Sequence, residues 1–318
     1  MNGRVISTCE SENVNKRVLI TGVCGFASRY MCDYLSGLSK RPYIIGVDIS
    51  SVRPNNCHSF YTVDLTIPEE TKNVIKQTKP DFIIHFAGTF GTEDLQRIYK
   101  VNVLSITTLL ESVREYVPYA VVVAVGSAAE YGQVEPNQLP VDEQTPCNPV
   151  TPYGLSKQLA TQVALYYHRV HDICAMVVRP FQLIGNGITT RLAPGAFIEQ
   201  LREGITKGSK VIKVGNLESW RDFLDVRDAV EAIWALCQKP AAGEVYNLCS
   251  GKPTKIADLL QAMIYHCRAD VKIEVDASRL NSRFDVSKIY GSYQKIRDHC
   301  GWQPQRNLEQ TIQSLFVH

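Results

Sequence analysis

The chain has 318 residues, is 45% hydrophobic and carries a formal net charge of +2 at pH 7. Its length allows one large or two modest domains with a substantial core, and its near-neutral charge, without a long run of one sign, argues against a nucleic-acid-binding surface. No apolar stretch approaches the roughly 20 residues of a membrane span. The polar opening segment, residues 1–16, lacks a signal-peptide pattern, so we expect a flexible tail there and a cytoplasmic protein.

Ten cysteines are scattered along the chain without a Cys-x-x-Cys pair. Several of them, such as Cys174 and Cys237, lie inside apolar runs, where a free cysteine behaves as a small buried hydrophobe. We therefore expect reduced thiols, as in a cytoplasmic protein. The histidines are also scattered, so the sequence predicts no metal site.

The first predicted strand, residues 16–20, leads through a glycine turn into a helix. This arrangement presents backbone N–H groups and a helix dipole to a pyrophosphate. Gly22 allows the tight turn and Gly25 allows close backbone approach, whereas the third small position is Ser28, which predicts slightly looser packing. The turn residues predicted to bind a dinucleotide are Gly22, Cys24, Gly25 and Phe26.

The second predicted strand, residues 43–48, ends in Asp48, which lies 26 residues after Gly22. In dinucleotide-binding folds an acid at this place holds the adenosine ribose. A carboxylate accepts a hydrogen bond from the ribose 2′-OH and repels a 2′-phosphate. Asp48 therefore favours NAD(H), and the nearby Arg53 keeps NADP(H) open as the alternative.

The alternation of strands and helices continues to about residue 180. The strand of residues 60–63 is followed by two residues that would frame the adenine, and the strand of residues 81–86 ends in small residues across which a dinucleotide can lie. The helix of residues 93–116 carries an asparagine that would brace the catalytic region. These predicted cofactor contacts are Asp64, Leu65, Ala87, Gly88 and Asn102.

An apolar strand, residues 120–125, is typical of a parallel sheet that is covered on both faces. A proline-rich loop then leads to Tyr153 and Lys157, which lie one turn apart on the same face of a predicted helix. The lysine charge would favour the phenolate and lower the tyrosine pKa from roughly 10, which suits an acid/base pair. By itself, this spacing also fits a half-buried aromatic residue beside a solvated lysine.

Beyond about residue 180 the alternation weakens into a mixture of shorter helices and strands. We therefore predict an α/β fold, with a doubly wound, Rossmann-like parallel sheet over residues 17–180 as the dinucleotide-binding domain. A smaller α+β C-terminal substrate domain is predicted over residues 181–318. Part of this second half, about residues 210–250, is expected to return to the first domain.

Seven short segments recur together, in order, in one protein family: Thr21–Phe26, Asp64-Leu65, Gly126-Ser127, Tyr131-Gly132, Tyr153–Lys157, Arg179-Pro180 and Arg221–Asp228. On these segments the chain resembles an extended short-chain dehydrogenase/reductase of the NAD-dependent epimerase/dehydratase family. The resemblance implies a doubly wound sheet, a nucleotide-sugar domain, and NAD(P) used as a reductant or as a recycled catalyst. It also implies a homodimer formed through the long helices near residues 93–116 and 153–171.

Residues 213–223 most resemble the branch of that family that acts on GDP-sugars. The resemblance implies that Arg221 and Arg283, from distant segments, clamp a diphosphate, a role that suits bidentate guanidinium groups. Gln182 stands where much of the family has asparagine. The substrate-binding residues implied in this way are Gln182, Lys213, Asn216, Arg221 and Arg283.

The same resemblance makes Ser127 the catalytic hydroxyl. The 4,6-dehydratases of the family carry an acid at one of the next two positions, which are Ala128 and Ala129 here. A methyl group cannot transfer a proton, so 4,6-dehydration is not expected. Glu130 follows, but on a strand-like segment it would point to the opposite side, so we expect it to be structural.

The leading interpretation is NAD(P)H-dependent reduction at C4 of a GDP-linked 4-keto-6-deoxyhexose, which gives a deoxysugar nucleotide such as GDP-rhamnose. Tyr153 would donate the proton to the developing alkoxide, Ser127 would hydrogen-bond the same oxygen, and Lys157 would hold the cofactor ribose. A nucleotide-sugar 4-epimerase with recycled NAD stays open, because it uses the same three residues. A 4,6-dehydratase and a non-catalytic nucleotide-sugar binder are less favoured.

Overall fold

The computed structural model describes residues 16–90, 94–207, 210–279 and 286–316. Its strands are β1 (Arg17–Thr21), β2 (Tyr43–Asp48), β3 (Ser59–Thr62), β4 (Phe82–His85), β5 (Val121–Val125), β6 (Ala175–Pro180), β7 (Gln182–Ile184), β8 (Val211–Val214), β9 (Trp220–Asp225), β10 (Val245–Leu248), β11 (Pro253–Lys255) and β12 (Lys272–Val275). Its α-helices are α1 (Phe26–Gly37), α2 (Pro68–Thr78), α3 (Leu95–Tyr99), α4 (Ser105–Tyr116), α5 (Pro152–His171), α6 (Ala193–Lys207), α7 (Val226–Gln238), α8 (Ile256–Cys267), α9 (Gln294–Cys300) and α10 (Leu308–Phe316).

A parallel sheet forms the centre of the molecule. Among the described residues it has seven strands, in the order β3-β2-β1-β4-β5-β6-β10. The chain winds outward from β1 in one direction and from β4 in the other, so the carboxyl ends of all these strands meet at one edge, where α/β proteins bind ligands. The predicted doubly wound α/β fold is confirmed.

Each face of this sheet is covered by helices because side chains alternate along its strands. Val18 and Ile20 of β1 join a buried cluster with side chains of α1, α7 and α9. Leu19, between them, joins a second cluster with side chains of α2, α4 and α5. Burying each such aliphatic side chain stabilises the fold by roughly 1.5–3 kcal/mol, so the two layers hold the sheet rigidly beneath the site.

The second half of the chain builds smaller sheets. Strand β9 pairs in parallel with β7 and antiparallel with β11, and β8 pairs in parallel with β12. A separate apolar cluster, which includes Phe197, Leu260 and Ile312, packs α6, α8 and α10 against these strands. The sequence did not predict β7, β9, β11 and β12. Strands β7, β11 and β12 have only three or four residues, and each of the four strands pairs with a distant segment.

The segment expected to return to the first domain, about residues 210–250, divides between the two parts. Strand β10 pairs with β6 at the edge of the central sheet, and α7 packs on the same layer as α1. Strand β8, in contrast, pairs with β12. The return to the central sheet therefore begins at α7 and not near residue 210.

The predicted helix of residues 93–116 contains one irregular turn. Helices α3 and α4 are joined by a π-helical turn, Lys100–Leu104, and Asn102 lies within it. Single π-turns inside α-helices frequently mark functional sites. In the part of the chain that the structure describes, no helix has both the length and the apolar character to cross a membrane.

Candidate active site

A cleft of about 690 Å³ lies along the carboxyl edge of the central sheet. Such a volume is typical of small-molecule and cofactor sites. Its walls come from the glycine turn, the ends of β2, β4 and β5, and the first turns of α5. The predicted residues that line it are Gly22, Cys24, Gly25, Phe26, Asp48, Asp64, Leu65, Ala87, Gly88, Tyr153 and Lys157.

The glycine turn can be built only with a glycine at its first position. Gly22 has φ +63°, and a Cβ there would lie 2.8 Å from the backbone of Ala87 on the adjoining segment. Ser28 is buried, and its hydroxyl donates to the Gly22 carbonyl oxygen at 2.7 Å. The serine therefore stabilises the turn. The sequence had predicted looser packing at this position. The tight turn leaves the start of α1 facing the cleft, as an anion-binding helix end requires.

Asp48, at the end of β2, bonds to the backbone of the glycine turn. Its two carboxylate oxygens accept hydrogen bonds from the Cys24 N–H at 3.0 Å and the Ser50 N–H at 2.9 Å. The guanidinium of Arg53 donates to the backbone carbonyl oxygens of Cys57 and His58. The acid thus lines the cleft at the predicted ribose position, while the arginine is engaged by the backbone.

Asp64 and Asn102 position backbone at the cleft. Asp64 Oδ1 accepts from the N–H and hydroxyl of Thr66, at 2.9 and 2.7 Å. Asn102 accepts from the Thr89 N–H at 2.7 Å and donates to the Thr89 carbonyl and the Ser156 hydroxyl, each at 2.9 Å. Asn102 is buried behind the cleft wall. It does not itself line the cleft, and it ties the segment after β4 to the helix that carries Tyr153.

Helix α5 presents the Tyr–Lys pair from its first turns. The Thr151 side chain caps the helix by accepting from the Gly154 N–H at 3.0 Å, and Pro152 occupies the first turn, where a missing N–H costs little. Lys157 is buried, and its Nζ donates to the Val125 carbonyl oxygen at 2.8 Å. A Cβ on Gly88 would lie 3.2 Å from that Nζ, so glycine leaves room for the lysine.

The pKa of Tyr153 differs from the prediction. Burial raises it to about 12, the hydrogen bond with the Ser127 hydroxyl opposes the rise, and the charge of Glu130 adds to it. The predicted lowering by Lys157 is therefore wrong for this structure, because desolvation of the phenolate dominates and the lysine bonds to the Val125 carbonyl. The pKa of Lys157 is itself lowered to about 8 by burial, against the charge of Glu130. Tyr153 stays protonated near neutral pH, as a proton donor must.

Ser127 starts a single 3₁₀ turn, Ala128–Glu130, and not the strand-like segment that was predicted. Its hydroxyl accepts from the Ala129 N–H at 3.1 Å, and Glu130 Oε1 accepts from the Ser127 N–H at 2.9 Å. The other carboxylate oxygen of Glu130 accepts from Arg179 and from Thr161, each at 2.9 Å. The acid is fully buried and does not line the cleft, so its expected structural role stands, for a different geometric reason.

A second cleft, of about 830 Å³, opens beside the start of α5. Thr151 lines it, and Tyr153, two residues later, lines the first cleft, so the two clefts lie next to each other at the start of α5. The predicted substrate residues Gln182, Lys213, Asn216 and Arg221 all line it, whereas Arg283 lies outside the described residues. Sequence reasoning missed three charged residues of this wall: Arg191, Glu199 and Arg279. None belongs to a motif or a charge run, so only the folded chain brings them together.

Asp222 explains why an acid follows Arg221. It is fully buried and accepts hydrogen bonds from the N–H and hydroxyl of Ser250, at 2.7 and 2.6 Å. It also accepts from the N–H groups of Gly251 and Gly291. Asp222 thereby holds two loops against β9, and Arg221, on the opposite side of the strand, lines the second cleft.

Known proteins share the sequence and fold of this chain. A model described as "NAD dependent epimerase/dehydratase family" matches residues 18–249. The chain is 27% identical over 310 residues to a GDP-6-deoxy-D-mannose reductase of Pseudomonas aeruginosa, covering 95% of this chain and 97% of that protein. It is also 27% identical over 290 residues to a GDP-6-deoxy-D-talose 4-dehydrogenase of Aggregatibacter actinomycetemcomitans, covering 90% and 91%.

Other relatives carry different activities in their names. A putative UDP-glucose 4-epimerase of Methanocaldococcus jannaschii is 27% identical over 306 residues, covering 94% of this chain and 96% of that protein. Among solved structures, RMD from Pseudomonas aeruginosa complexed with NADPH superposes with a TM-score of 0.84 at 25% identity, covering 95% of this chain and 98% of that one.

Proposed function

Because the chain belongs to the NAD dependent epimerase/dehydratase family, we propose that it reduces the C4 carbonyl of a GDP-linked 4-keto-6-deoxyhexose with NAD(P)H. The product would be a deoxysugar nucleotide of the GDP-rhamnose type. One observation carries the proposal: Tyr153 and Lys157 line the cleft beside a dinucleotide-type turn, Ser127 hydrogen-bonds to Tyr153, and the two positions after Ser127 are alanines and not acids. That set suits carbonyl reduction and leaves dehydration without its proton donor.

The residues of the first cleft fit a nicotinamide dinucleotide. Because Gly22 has no Cβ, its turn packs directly against the backbone of Ala87 at the edge of the cleft. The start of α1 would face the pyrophosphate, Asp48 the adenosine ribose, and Lys157 the nicotinamide ribose. When bound, the reduced cofactor supplies the hydride.

The chain's own groups would handle the proton. Tyr153, with a pKa of about 12, donates its phenolic proton to the C4 oxygen as negative charge develops there. Ser127, hydrogen-bonded to the same phenol, donates to that oxygen and orients it. Lys157, charged below a pKa of about 8, holds the nicotinamide ribose and so positions the cofactor beside Tyr153.

The second cleft supports a nucleotide diphosphate as the carrier of the sugar. Its wall combines the cations Arg191, Lys213, Arg221 and Arg279 with one carboxylate, Glu199. Guanidinium groups bind diphosphate oxygens bidentately. We propose guanine as the base on the strength of the two GDP-sugar relatives, and a sugar at the meeting point of the two clefts.

We propose NAD(H) as the preferred cofactor, because Asp48 occupies the ribose position and Arg53 is bonded to backbone carbonyl oxygens. A 2′-phosphate would meet the carboxylate of Asp48 and gain no guanidinium partner from Arg53. The NADPH in the Pseudomonas aeruginosa relative makes NADP(H) the alternative for this chain.

The proposal is tested by incubating the purified protein with the GDP-linked 4-keto-6-deoxyhexose and either NADH or NADPH. We expect stoichiometric loss of reduced cofactor and one deoxysugar nucleotide as product. If reduced cofactor is not consumed, the reductase assignment is wrong. Use of NADPH at least as efficiently as NADH would contradict only the cofactor preference.

The second candidate is a nucleotide-sugar 4-epimerase, which the names of several relatives support, including the one from Methanocaldococcus jannaschii. An epimerase would retain NAD through purification, interconvert two sugars and leave the cofactor balance unchanged. Mass analysis of the nucleotide released by denaturation separates the two. A non-catalytic sensor is the remaining alternative, and it predicts a cellular role that survives Tyr153→Phe.

We further propose a homodimer in the cytoplasm. Along α5 four large apolar side chains are 38–51% exposed and share one face: Leu155, Leu159, Tyr166 and Val170. A second copy would cover such a face. Sedimentation of the protein and of Leu159→Glu is the test, with a monomeric wild-type protein as the contradicting result.

The described cysteines are free thiols, which supports the proposal of a reducing compartment such as the cytoplasm.

A further inference from the structure

Phe90 lies at the junction of the two clefts, and no sequence motif pointed to it. It follows the small residues at the end of β4 and lines the first cleft together with Tyr153. Its ring meets the Tyr153 ring edge to face, with 6.1 Å between the centroids and 64° between the planes. The apolar ring therefore stands beside the group that would protonate the substrate.

The backbone on both sides of this ring is held. Asn102 bonds both the N–H and the carbonyl oxygen of Thr89, the preceding residue. The carbonyl oxygen of Phe90 accepts from Arg191 Nη1 at 3.4 Å, and Arg191 lines the second cleft. The ring thus belongs to the wall that joins the two clefts, and a half-buried phenyl group held in this way presents a defined apolar surface.

The proposed reaction determines which part of the sugar meets this wall. Tyr153 must reach the C4 oxygen, so the groups next to the tyrosine are those on C3 and C5. C3 carries a hydroxyl, whereas C5 of a 6-deoxyhexose carries a methyl group. A phenyl ring gains free energy by burying a methyl group, but leaves a hydroxyl without a hydrogen-bond partner.

We propose that Phe90 is a specificity-determining residue whose ring packs against the C6 methyl group of the substrate. It selects a 6-deoxy sugar over the corresponding sugar with a C6 hydroxyl. The inference rests on the proposed function, because it places the C4 oxygen at Tyr153. The Ser–Tyr–Lys set acts only at C4 and cannot distinguish a C6 methyl group from a C6 hydroxyl, so selectivity for the C6 group comes from Phe90.

The test compares kcat/KM for two GDP-linked 4-ketohexoses, one with a C6 methyl group and one with a C6 hydroxyl, in the wild-type protein, Phe90→Leu and Phe90→Asn. A hydrophobic wall discriminates at this level by roughly 10- to 100-fold, so we expect that preference in the wild-type protein. Phe90→Leu keeps an apolar wall and should retain most of the preference. Phe90→Asn offers the hydroxyl a partner and should reduce the ratio by about tenfold or more.

Two further measurements keep the outcomes distinct. The unfolding midpoint and the Kd for reduced cofactor establish that each variant is folded and binds the dinucleotide. If Phe90→Asn lowers kcat/KM for both ketones equally, the ring only supports Tyr153 and the proposal is overturned. If the variant weakens cofactor binding without changing the ratio, the ring belongs to the cofactor site, which also overturns it. If the wild-type protein consumes neither ketone, the proposed function fails, and this assignment with it.

Discussion

Arg179 Nε donates to Glu130 Oε2 across 2.9 Å, in an ion pair whose side chains are 6% and 0% exposed. The pair joins the turn after β5 to strand β6. Arg179 also donates to the Tyr131 hydroxyl at 3.2 Å. Glu130 is therefore part of a buried hydrogen-bond network beside the site. Its charge affects the pKa values of Tyr153 and Lys157 only through electrostatic interaction across space.

This pair makes the stability of the protein sensitive to Glu130. In Glu130→Gln the guanidinium of Arg179 stays buried without a charged partner, so the free energy of unfolding should fall by about 3–5 kcal/mol. Urea titration measures it. Glu274→Gln is the matched control, because its ion pair with Lys272 is exposed and such pairs contribute at most about 1 kcal/mol. Equal losses in the two variants would contradict the role assigned to the buried pair.

Tyr153 is expected to control the chemical step and not the binding of the cofactor. Tyr153→Phe removes one proton donor and retains the ring that packs on Phe90. We expect kcat to fall by about 10²- to 10⁴-fold, with the Kd for reduced cofactor changed by less than a few fold. Steady-state kinetics and cofactor titration measure the two quantities. A variant with near-normal kcat would exclude Tyr153 as the proton donor.

Asp48 is expected to set the choice between NADH and NADPH. Asp48→Asn removes the negative charge but keeps a side chain that can accept from the Cys24 N–H. A hydrogen bond to a charged group contributes roughly 1.5–3 kcal/mol, so NADH binding should weaken about tenfold or more, while NADPH binding improves. Arg53→Ala is the control and should leave the ratio nearly unchanged, because Arg53 bonds to backbone carbonyls. A large change in that control would assign the 2′-phosphate site to Arg53.

Arg221 is expected to bind the diphosphate in the second cleft. Arg221→Leu should weaken GDP binding by about 10- to 100-fold, the effect of losing a charge-assisted hydrogen bond, and leave the Kd for reduced cofactor unchanged. Calorimetric titration with GDP measures it. Lys272→Leu removes an exposed cation on β12, which is not part of this cleft, and should bind GDP normally. Normal GDP binding by Arg221→Leu would contradict this assignment.

Burial of Lys157 should appear in the pH dependence of stability. Its pKa is about 8 in the folded protein and 10.5 when unperturbed, so the unfolded chain binds more protons between these values. The cost of burying the charge is fully present below pH 8, and it is relieved as pH rises toward 10.5. Between pH 7 and pH 10 the wild-type protein should gain about 2–3 kcal/mol relative to Lys157→Met.

Chemical unfolding of both proteins at the two pH values tests this expectation. Other groups that titrate in the range are common to both proteins, so their contributions cancel in the difference. A constant difference between the two proteins would mean that Lys157 is not desolvated. If Lys157→Met instead gains stability relative to the wild-type protein as pH rises, the pKa of Lys157 is raised and not lowered in the folded protein.

Local patterns in the sequence were enough to predict the central sheet and its glycine turn. Apolar runs such as residues 120–125 and the glycine turn at Gly22 are local patterns, and strand, turn and helix form from neighbouring residues. The capped start of α5 is likewise local, so the placement of Tyr153 and Lys157 one turn apart followed from spacing alone. These features could be predicted because their physical causes lie within a few residues of each other.

The surroundings of these features depend on contacts between segments that are far apart in the chain. Strand β9 forms by pairing with β7 and β11. The residues of β9 alone do not specify these partners. The raised pKa of Tyr153, the clamp of Asn102 on Thr89, and the contact of Phe90 with Tyr153 all depend on burial between distant segments. Desolvation and packing act on the folded chain as a whole, so the chemistry of the site is set by contacts that no local pattern contains.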